Sequence, residues 1–336
     1  MQKVFLLFLI IGCWCFSGCY LQGNIPVVVP VAENENTVQK QLPPVVINTY
    51  DTQGNAKKVV FDSVPQRVVL DIANDLETML ALGLGDHVAL TSVDVGSLFY
   101  QQMQKLYPEE IKKVQHFSPH GINMENVIAV QPDFILGWKS TFTPSWLRTT
   151  SWWDKRGVKT YIAATSNKTV PEGTIEDECQ YLSDMGRIFR VETKAQAYID
   201  AIHQELARAN KEIQGRAAQS VMVIELTSRY IINYDRKWLV GNMVETLGGI
   251  MPVDALRIGQ EDLIYYDPEV IFVIVYDPST ELSVDFLKYD PKFQSMRAVK
   301  NRRIYPIRFD LIYAPSVRTL DGLKKIKQGL YPDLPE

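Results

Sequence analysis

One pattern of hydrophobic and polar residues occurs twice along the chain. Residues 125–135 read Glu, any residue, Val, Ile, three residues, Pro, Asp, any residue and Ile, and residues 261–271 repeat this with Leu for Val and Glu for Asp. An acid favours the start of a helix and a proline ends one. The apolar runs 134–138 and 270–276 that follow are typical of strands buried on both faces. We therefore predict one helix–strand unit used twice; the alternative is two unrelated helix–strand steps in one α/β domain.

Strands and helices alternate through the rest of both halves. A helix predicted at 76–82 ends at Gly83 and Gly85, which suit a left-handed cap, and a second helix runs toward Gly248 and Gly249. Further strands are predicted at 67–72, 87–90, 158–162, 220–225 and 303–307. Because strands that alternate with helices form largely parallel sheets, the predicted fold class is α/β.

A longer amphipathic helix separates the two halves. Its apolar stripe comprises Ala195, Tyr198, Ile199, Ile202, Leu206, Ala209 and Ile213. At 1.5 Å per residue the segment 191–214 would be roughly 35 Å long, enough to cross from one lobe to another. We expect an amino-terminal lobe at 46–190, a bridging helix at 191–215 and a carboxyl-terminal lobe at 216–336, since a body of this length exceeds the usual single core.

The amino terminus predicts export. Residues 4–16 are almost continuously apolar, which is typical of a signal peptide and too short to span a membrane as a mature helix. The predicted signal peptide, 1–18, ends in Ser-Gly before Cys19, similar to a bacterial lipobox in which the cysteine is acylated. Cys13 is the alternative site, and a secreted protein without lipid is the other alternative. Residues 19–45 would then tether an extracytoplasmic body to the membrane, through the lipid anchor only.

Composition excludes several classes of function. Cys179 is the only cysteine beyond residue 19, so we expect no internal disulfide or thiolate zinc cluster and assign it no chemistry. A net charge of −4 without a basic run argues against a nucleic-acid partner. The sequence has no dinucleotide-binding glycine motif, no phosphate loop and no Gly-x-Ser-x-Gly elbow. We predict a protein that is not an enzyme and has no cofactor of its own; a secreted two-lobed enzyme and an adhesive lipoprotein are the less favoured alternatives.

Several short segments recur in a characteristic order over most of the chain. They are 65–69 (PQRVV), 82–86 (LGLGD), both copies of the repeat, the bridging helix, 298–305 (AVKNRRIY) and 330–332 (LYP). Together they resemble the cobalamin and iron-siderophore periplasmic-binding family over about residues 60–332. The resemblance implies two Rossmann-like lobes with mainly parallel sheets, joined by one long α-helix, with the ligand in the cleft between them. It also implies an ABC permease with its ATPase as partner.

The cleft loops favour a ferric siderophore-type chelate as ligand. In open α/β sheets ligands bind beyond the carboxyl ends of the strands. The candidate contacts in those loops are Asn74, Ser118, Pro119, His120, Trp138, Lys139, Arg229, Tyr230, Tyr276 and Arg308. Aromatic faces with a few cations suit a bulky, partly apolar, anionic chelate that carries its own iron or cobalt. Cobalamin and haem are the alternatives.

The sequence does not decide between alternative roles for three of these candidates, Pro119, Trp138 and His120. Cobalamin binders of the family have aromatic residues at the positions of Pro119 and Trp138, and only Trp138 is aromatic here; its alternative role is in the core. His116 and His120 are four residues apart, but Pro119 and Gly121 predict a loop, so we expect no bare zinc or manganese site. His120 is either an axial ligand of haem iron or corrinoid cobalt, or a loop histidine with local hydrogen bonds.

The first residue of each repeat is a glutamate, Glu125 or Glu261. In the family that the chain resembles, glutamates at the matching positions dock onto arginines of a dimeric permease. The resemblance therefore implies a docking role for Glu125 and Glu261, one on each lobe beside the cleft. The alternative is that each glutamate only favours the start of its own helix, an effect of about 0.3–1 kcal/mol.

Overall fold

The computed structural model describes residues 43–276, 282–313 and 316–335 of the chain. The predicted signal peptide, the predicted acylation site Cys19 and nearly all of the predicted tether fall outside these residues. Within them, no helix combines the length and the apolar character needed to cross a bilayer.

A β-hairpin that the sequence patterns did not indicate lies at the beginning of the first lobe. Strands β1 (Val45–Tyr50) and β2 (Ala56–Phe61) pair antiparallel. The Thr49 hydroxyl donates to the Ile162 carbonyl and accepts from the Ile162 amide, both at 2.9 Å. These two bonds hold the hairpin against the edge of the first lobe.

The first lobe contains a four-stranded sheet. Its strands are β3 (Val68–Leu70), β4 (Val88–Thr91), β5 (Phe134–Leu136) and β6 (Lys159–Tyr161). They lie in the order β4-β3-β5-β6, and every neighbouring pair is parallel. The helices are α1 (Ala73–Leu82), α2 (Leu98–Leu106), α3 (Pro108–Ile111), α4 (Met124–Ala129), α5 (Thr150–Asp154) and α6 (Ile175–Phe189). Gly83 caps α1 at φ 78°, the left-handed conformation that its position after the apolar run predicted.

A single long helix, α7 (Glu192–Glu212), follows the first lobe. Its 21 residues span roughly 31 Å at 1.5 Å per residue. The predicted apolar stripe faces inward, with Ala195, Ile199, Ile202 and Ala209 buried. α7 packs against α6 on one side and, in the second lobe, against α12 (Thr319–Leu330) on the other.

The second lobe has a mixed sheet. Its strands are β7 (Gln219–Leu226), β8 (Ile231–Asn233), β9 (Gly249–Ile250), β10 (Arg257–Ile258), β11 (Val270–Val275) and β12 (Ile304–Arg308). The order is β10-β8-β7-β11-β12, with β9 paired to β7. The pairs among β7, β11 and β12 are parallel, whereas β8 is antiparallel to both of its neighbours. The remaining helices are α8 (Leu239–Thr246), α9 (Gln260–Tyr266), α10 (Leu282–Tyr289) and α11 (Arg297–Lys300).

The sequence repeat is also a structural repeat. Its two copies form α4 followed by β5 and α9 followed by β11, and both strands run parallel to the strands on either side in their sheets. Val127 and Leu263 occupy the same position in their helices, and both are 0% exposed. Gln131 (φ 48°) and Asp267 (φ 41°), which precede the two prolines, are both left-handed. A residue before proline avoids the right-handed helical region, so each helix ends at the same point.

The acid after each proline has a structural role. Asp133 accepts hydrogen bonds from the backbone amides of Gln66 at 2.8 Å and Arg67 at 2.9 Å, just before β3. Glu269 accepts from the Ser220 amide of β7 at 2.9 Å. Each acid therefore ties its own strand to the start of the neighbouring parallel strand, which explains why both copies of the repeat carry an acid there.

Buried polar contacts join the two lobes. Arg318 Nε, just before α12, donates to Glu77 Oε2 of α1 at 2.7 Å, and their side chains are only 12% and 2% exposed. Asn74 Nδ2, also of α1, donates to the Asp310 carbonyl at 2.7 Å. These contacts cross from the first helix of the first lobe to the end of the second lobe, so the lobes meet at a polar seam.

Candidate functional site

Six aromatic rings, here called the aromatic cluster, meet between the lobes. Its members are Trp138, Tyr234, Trp238, Tyr276, Phe309 and Tyr313. Phe309 and Tyr313 stack with ring centroids 4.3 Å apart. The ring centroid of Trp138 in the first lobe lies 5.2 Å from the ring centroid of Tyr313 in the second, so rings of both lobes are in contact. The cluster thus contains side chains from each side of the cleft.

Strand ends place three of the six rings. Trp138 follows β5, Tyr276 directly follows β11, and Phe309 directly follows β12. β5, β11 and β12 all run parallel to a neighbouring strand, and ligands of open α/β sheets bind beyond the carboxyl ends of such strands. The cluster therefore occupies the position in the fold where a ligand is expected.

Glu225 supplies a carboxylate beside the rings. Tyr234 Oη donates to Glu225 Oε2 at 2.8 Å, and Tyr276 is hydrogen-bonded to the same carboxylate. Burial and, after it, this hydrogen bond hold the pKa of Tyr234 well above its usual range. Both phenols therefore stay protonated and present their rings, not a charge, to the cleft.

The loop after β6 contributes polar groups from the first lobe. Asn167 (φ 47°) and Lys168 (φ 53°) are consecutive left-handed residues, a conformation that strains a side chain other than glycine. Asn167 Oδ1 accepts from Ser140 Oγ at 2.8 Å, and Asn167 is also hydrogen-bonded to Tyr313. Lys168 Nζ lies 4.3 Å from the centroid of the Trp238 ring, a cation–π distance. This loop therefore holds an amide and a cation against the aromatic cluster.

Two indole N–H groups in the cluster are buried donors without an acceptor. Within the part of the chain that the structure describes, neither Trp138 Nε1 nor Trp238 Nε1 has a hydrogen-bond partner. A buried donor that finds no acceptor is unfavourable by about 1–3 kcal/mol. Both groups are thus suited to donate to the oxygens of a bound molecule.

Four of the predicted contacts lie at or near the cluster. Trp138 and Tyr276 are members of it, and Lys139 Nζ lies 3.4 Å from the Lys168 carbonyl. Arg308, which directly precedes Phe309, is paired with the Asp310 carboxylate and reaches Gln102 Oε1 at 3.3 Å. Asp310 thus balances the positive charge of Arg308. Asn74, a fifth predicted contact, is buried in the seam between the lobes, where its amide is committed to the Asp310 carbonyl.

Three other predicted contacts form a turn before α4. Ser118 Oγ donates to the Gly121 carbonyl at 2.6 Å and accepts from Asn126 Nδ2 at 3.1 Å, so its hydroxyl is used locally. Pro119 and His120 are exposed. Among the ring contacts of the described residues, none joins His120 to the aromatic cluster.

Arg229 and Tyr230 belong to a different surface of the second lobe. They are exposed in the loop after β7 and line a concavity of about 520 Å³ with Glu261 and Phe286. The Arg257 guanidinium lies 4.6 Å from the centroid of the Tyr230 ring. The structure thus brings these two predicted ligand contacts next to a predicted docking residue.

Glu125 and Glu261 occupy matching positions. Each is the second residue of its helix, α4 or α9, and each side chain is exposed. Other groups already cap both helices: Asn123 and Asn126 bond each other's backbone amides at the start of α4, and Asp262 accepts from the Gly259 amide at 2.8 Å at the start of α9. Neither glutamate is therefore required as the capping side chain of its own helix.

Sequence analysis missed most of the aromatic cluster. The strand-end rule was applied only as far as Arg308, although Phe309 and Tyr313 follow the same strand. Tyr234 and Trp238 carried no comparable signal, because they follow β8, which runs antiparallel and was not predicted as a strand. Glu225 was assigned to a strand, and its contact with two tyrosines depends on the tertiary fold.

Comparison with known proteins places this architecture. The family model described as periplasmic binding protein matches residues 72–311. The chain is similar to the ABC transporter substrate-binding lipoprotein YvrC of Bacillus subtilis (strain 168), with 23% identity over 320 residues, 90% of this chain and 91% of the relative.

Solved structures agree in fold. A periplasmic binding protein from Veillonella parvula DSM 2008 has 28% identity and a TM-score of 0.78, covering 88% of this chain and 95% of that chain. The ABC-type Fe3+-hydroxamate transport system from Saccharomonospora viridis DSM 43017 has 20% identity and a TM-score of 0.66, covering 84% of this chain and 98% of that chain. The two-lobed α/β fold predicted from the sequence is confirmed.

Proposed function

The chain belongs to the periplasmic binding protein family, and on this premise we propose that it captures a ferric siderophore-type chelate between its lobes and delivers it to an ABC permease. The aromatic cluster carries this proposal, because rings from both lobes meet where the fold places ligands. A solute that enters between Trp138 and Tyr313 would touch both lobes at once. Contact with both lobes is what a protein that closes on its cargo needs.

The chemistry of the cluster supports a bulky, partly aromatic chelate. Stacked rings accept planar apolar groups, and the indole N–H groups of Trp138 and Trp238 can donate to the oxygens that surround a chelated metal. Lys168 and Glu225 place one charge of each sign beside the rings. Because Arg308 is balanced by Asp310, the site favours a chelate of low net charge over a strongly anionic one.

Cobalamin is the second candidate, and Trp138 is the observation that favours it. In the cobalamin binders that the sequence resembles, an aromatic residue stands at this position, and here that residue lies in the aromatic cluster. Haem fits less well, because its two propionates require cations that Arg308 does not offer while it is paired. A visible absorption spectrum of the protein purified from its host would distinguish an iron chelate, a corrinoid and a haem.

Delivery requires an extracytoplasmic location and a docking surface. We propose that Cys19 is acylated, that residues 19–45 tether the body at 46–336, and that the membrane is reached through this anchor only. Glu125 and Glu261, exposed at matching positions on the two lobes, would dock onto a dimeric permease coupled to an ATPase. Repetition of one helix–strand unit supports this role, since it sets one acid on each lobe for a two-fold symmetric partner.

Ligand titration tests the proposal. Tryptophan fluorescence would be followed while the protein is titrated with a ferric catecholate, a ferric hydroxamate, cyanocobalamin and haem. We expect one iron chelate to quench the fluorescence with saturation, and Trp138→Ala to weaken its binding by roughly 1–3 kcal/mol while the melting temperature changes little. Trp146→Ala is the matched control, because Trp146 is 51% exposed outside the cluster and its loss should leave affinity unchanged. Absence of saturable quenching by any iron chelate would refute the proposed ligand class.

A further inference from the structure

Helices α6 and α7 bring together three side chains of types that can ligate a metal ion. Glu176 and Cys179 are three residues apart on α6 and share one face, and His203 lies on the adjacent face of α7. His203 Nε2 is 3.1 Å from Glu176 Oε1 and 3.7 Å from Cys179 Sγ. The three ligand atoms all lie within 4.8 Å of one another. Sequence analysis assigned Cys179 no chemistry. Its contact with His203 depends on the packing of α7 against α6, which the sequence pattern does not show.

These distances are close to those of a tetrahedral zinc site. With Zn–S near 2.3 Å and Zn–N near 2.0–2.1 Å, tetrahedral angles place sulfur and nitrogen about 3.5 Å apart, and nitrogen and oxygen about 3.4 Å apart. The observed separations from His203 Nε2 are 3.7 Å to Cys179 Sγ and 3.1 Å to Glu176 Oε1. Movements of a few tenths of an ångström would therefore suffice to bind an ion.

The contacts do not form a catalytic relay. In a nucleophile–histidine–acid triad the acid and the nucleophile contact opposite nitrogens of the ring. Here Glu176 and Cys179 both contact Nε2 of His203. All three groups thus point to one place, which is the arrangement of ligands around an ion.

The surroundings also suit an ion. Side chains of His203 and Glu176 are 46% and 70% exposed, so solvent reaches the three ligands from one side. Cys179 is 5% exposed, which places the sulfur on the protein side of the group. A cation held by these three ligands would therefore have a fourth position free to bind water on the exposed side. Sulfur together with imidazole favours zinc-class cations over magnesium or calcium, which prefer ligands that are all oxygen.

We propose that Glu176, Cys179 and His203 form a binding site for a zinc-class divalent cation that clamps α6, the last helix of the first lobe, to the bridging helix α7. The site lies on helices α6 and α7 and includes no residue of the aromatic cluster. It is therefore independent of the ligand carried in the cleft. Its expected effect is to hold the first half of the bridge in one arrangement against the first lobe.

Cobalt titration of the full chain tests the site, with a non-thiol reductant present to keep Cys179 reduced. After treatment with a chelator, Co²⁺ should produce a thiolate-to-cobalt charge-transfer band and the visible bands of a tetrahedral centre, at one ion per chain. Zn²⁺ should displace the cobalt and raise the melting temperature. Absence of the charge-transfer band at micromolar Co²⁺ would overturn the proposal and leave an ordinary histidine–glutamate pair over a buried cysteine.

Variants at the exposed ligands separate binding from folding. His203→Gln and Glu176→Gln should each weaken cobalt binding by at least about tenfold and abolish the stabilisation by Zn²⁺, while both variants still fold. Cys179→Ser should remove the charge-transfer band. His116→Gln, which changes an exposed histidine outside the group, is the matched control and should bind cobalt as the unmodified chain does. Cobalt binding that survives both His203→Gln and Glu176→Gln would place the ion elsewhere and refute the assignment.

Discussion

Replacement of Glu178 by Gln should stabilise the protein at alkaline pH and change it little at acidic pH. Glu178, on α6, is 0% exposed. Its carboxylate accepts hydrogen bonds from Thr165 Oγ1 at 2.6 Å, Ser316 N at 3.1 Å and Thr319 Oγ1 at 3.3 Å. These donors, two of them from the second lobe, are all neutral. Among the described residues, no cation balances the ionised form of this carboxyl group, which the fold buries between the lobes.

The size of the expected change in unfolding free energy follows from the pKa of Glu178. Burial raises the pKa of Glu178 from 4.5 to about 7, because loss of solvation outweighs the three hydrogen bonds. Between these pKa values the folded protein binds one proton more than the unfolded chain, so the free energy of unfolding falls by about 1.4 kcal/mol per pH unit as the pH rises. Over this interval of roughly 2.5 pH units, ionised Glu178 costs the folded protein about 3 kcal/mol above pH 7. Below pH 4.5 this cost disappears.

Glutamine can keep the contacts without the charge. Its carbonyl can accept from the Ser316 amide, while its NH₂ group donates to Thr165, whose hydroxyl can rotate to accept. In urea unfolding at about pH 8, Glu178→Gln should exceed the unmodified protein in stability by up to about 3 kcal/mol, and at about pH 4.5 the two should agree within about 0.5 kcal/mol. Burial also raises the pKa of Asp75 to about 7, and the charge of Glu178 raises it further, so the loss of that charge in Glu178→Gln should lower the pKa of Asp75 and add to the gain in stability at about pH 8.

An exposed acid outside the helices provides the control. Glu172→Gln, in the loop before α6, should not reproduce the gain in stability at about pH 8. A loss of stability in Glu178→Gln that is the same at both pH values would refute the reasoning, because it would mean that hydrogen bonding outweighs the desolvated charge.

Three further outcomes are expected from single contacts and surfaces. In urea unfolding, Arg318→Ala should lower the free energy of unfolding by about 3–5 kcal/mol, since it leaves Glu77 buried without its partner. The double variant Arg318→Met with Glu77→Leu should recover much of that loss. Equal losses in the single and double variants would contradict a charge effect. Replacement of both Glu125 and Glu261 by Arg should abolish uptake by cells that have no other binding protein, while ligand affinity stays unchanged. Each single replacement should reduce uptake to an intermediate level. Normal transport by the double variant would exclude the docking role. Cys19→Ala should move the protein from the membrane fraction to the soluble fraction, and retention in the membrane would point to another anchor.

Local patterns predicted many elements of this fold, although not the β1–β2 hairpin or strand β8. The helix–strand repeat at 125–135 and 261–271 was recognised from short-range spacing, and the structure shows the same helix end and strand entrance in both copies. The stripe on α7 has a helical period, and a buried face is the physical cause of such a period. These predictions hold because backbone conformation and the side of an element that is buried depend mainly on residues near in sequence.

The residues of the site depended on contacts that sequence spacing does not encode. The strand-end rule selected Trp138 and Tyr276, and the structure brings both into the aromatic cluster, since parallel strands carry their ends to a common edge. The same rule could not show that Arg308 is neutralised by Asp310, or that Arg229 and Tyr230 line the surface beside Glu261. A loop residue near a strand end can face the cleft, its own neighbours or the rim, and only the path of the loop decides which.

Cys179 is the clearest example of a contact that tertiary packing decides and local sequence patterns do not. Cys179 lies on α6 and is buried, 5% exposed. Its contact with His203, 24 residues later, arises from the packing of α6 on α7. The rotation of each helix about its axis sets which side chains meet, and that rotation is the result of packing over the whole interface. The sequence determined two α/β lobes, a helical bridge and the edge of the sheets where ligand would bind, whereas tertiary packing alone decided which charges are paired, which rings stack and which ligating atoms meet.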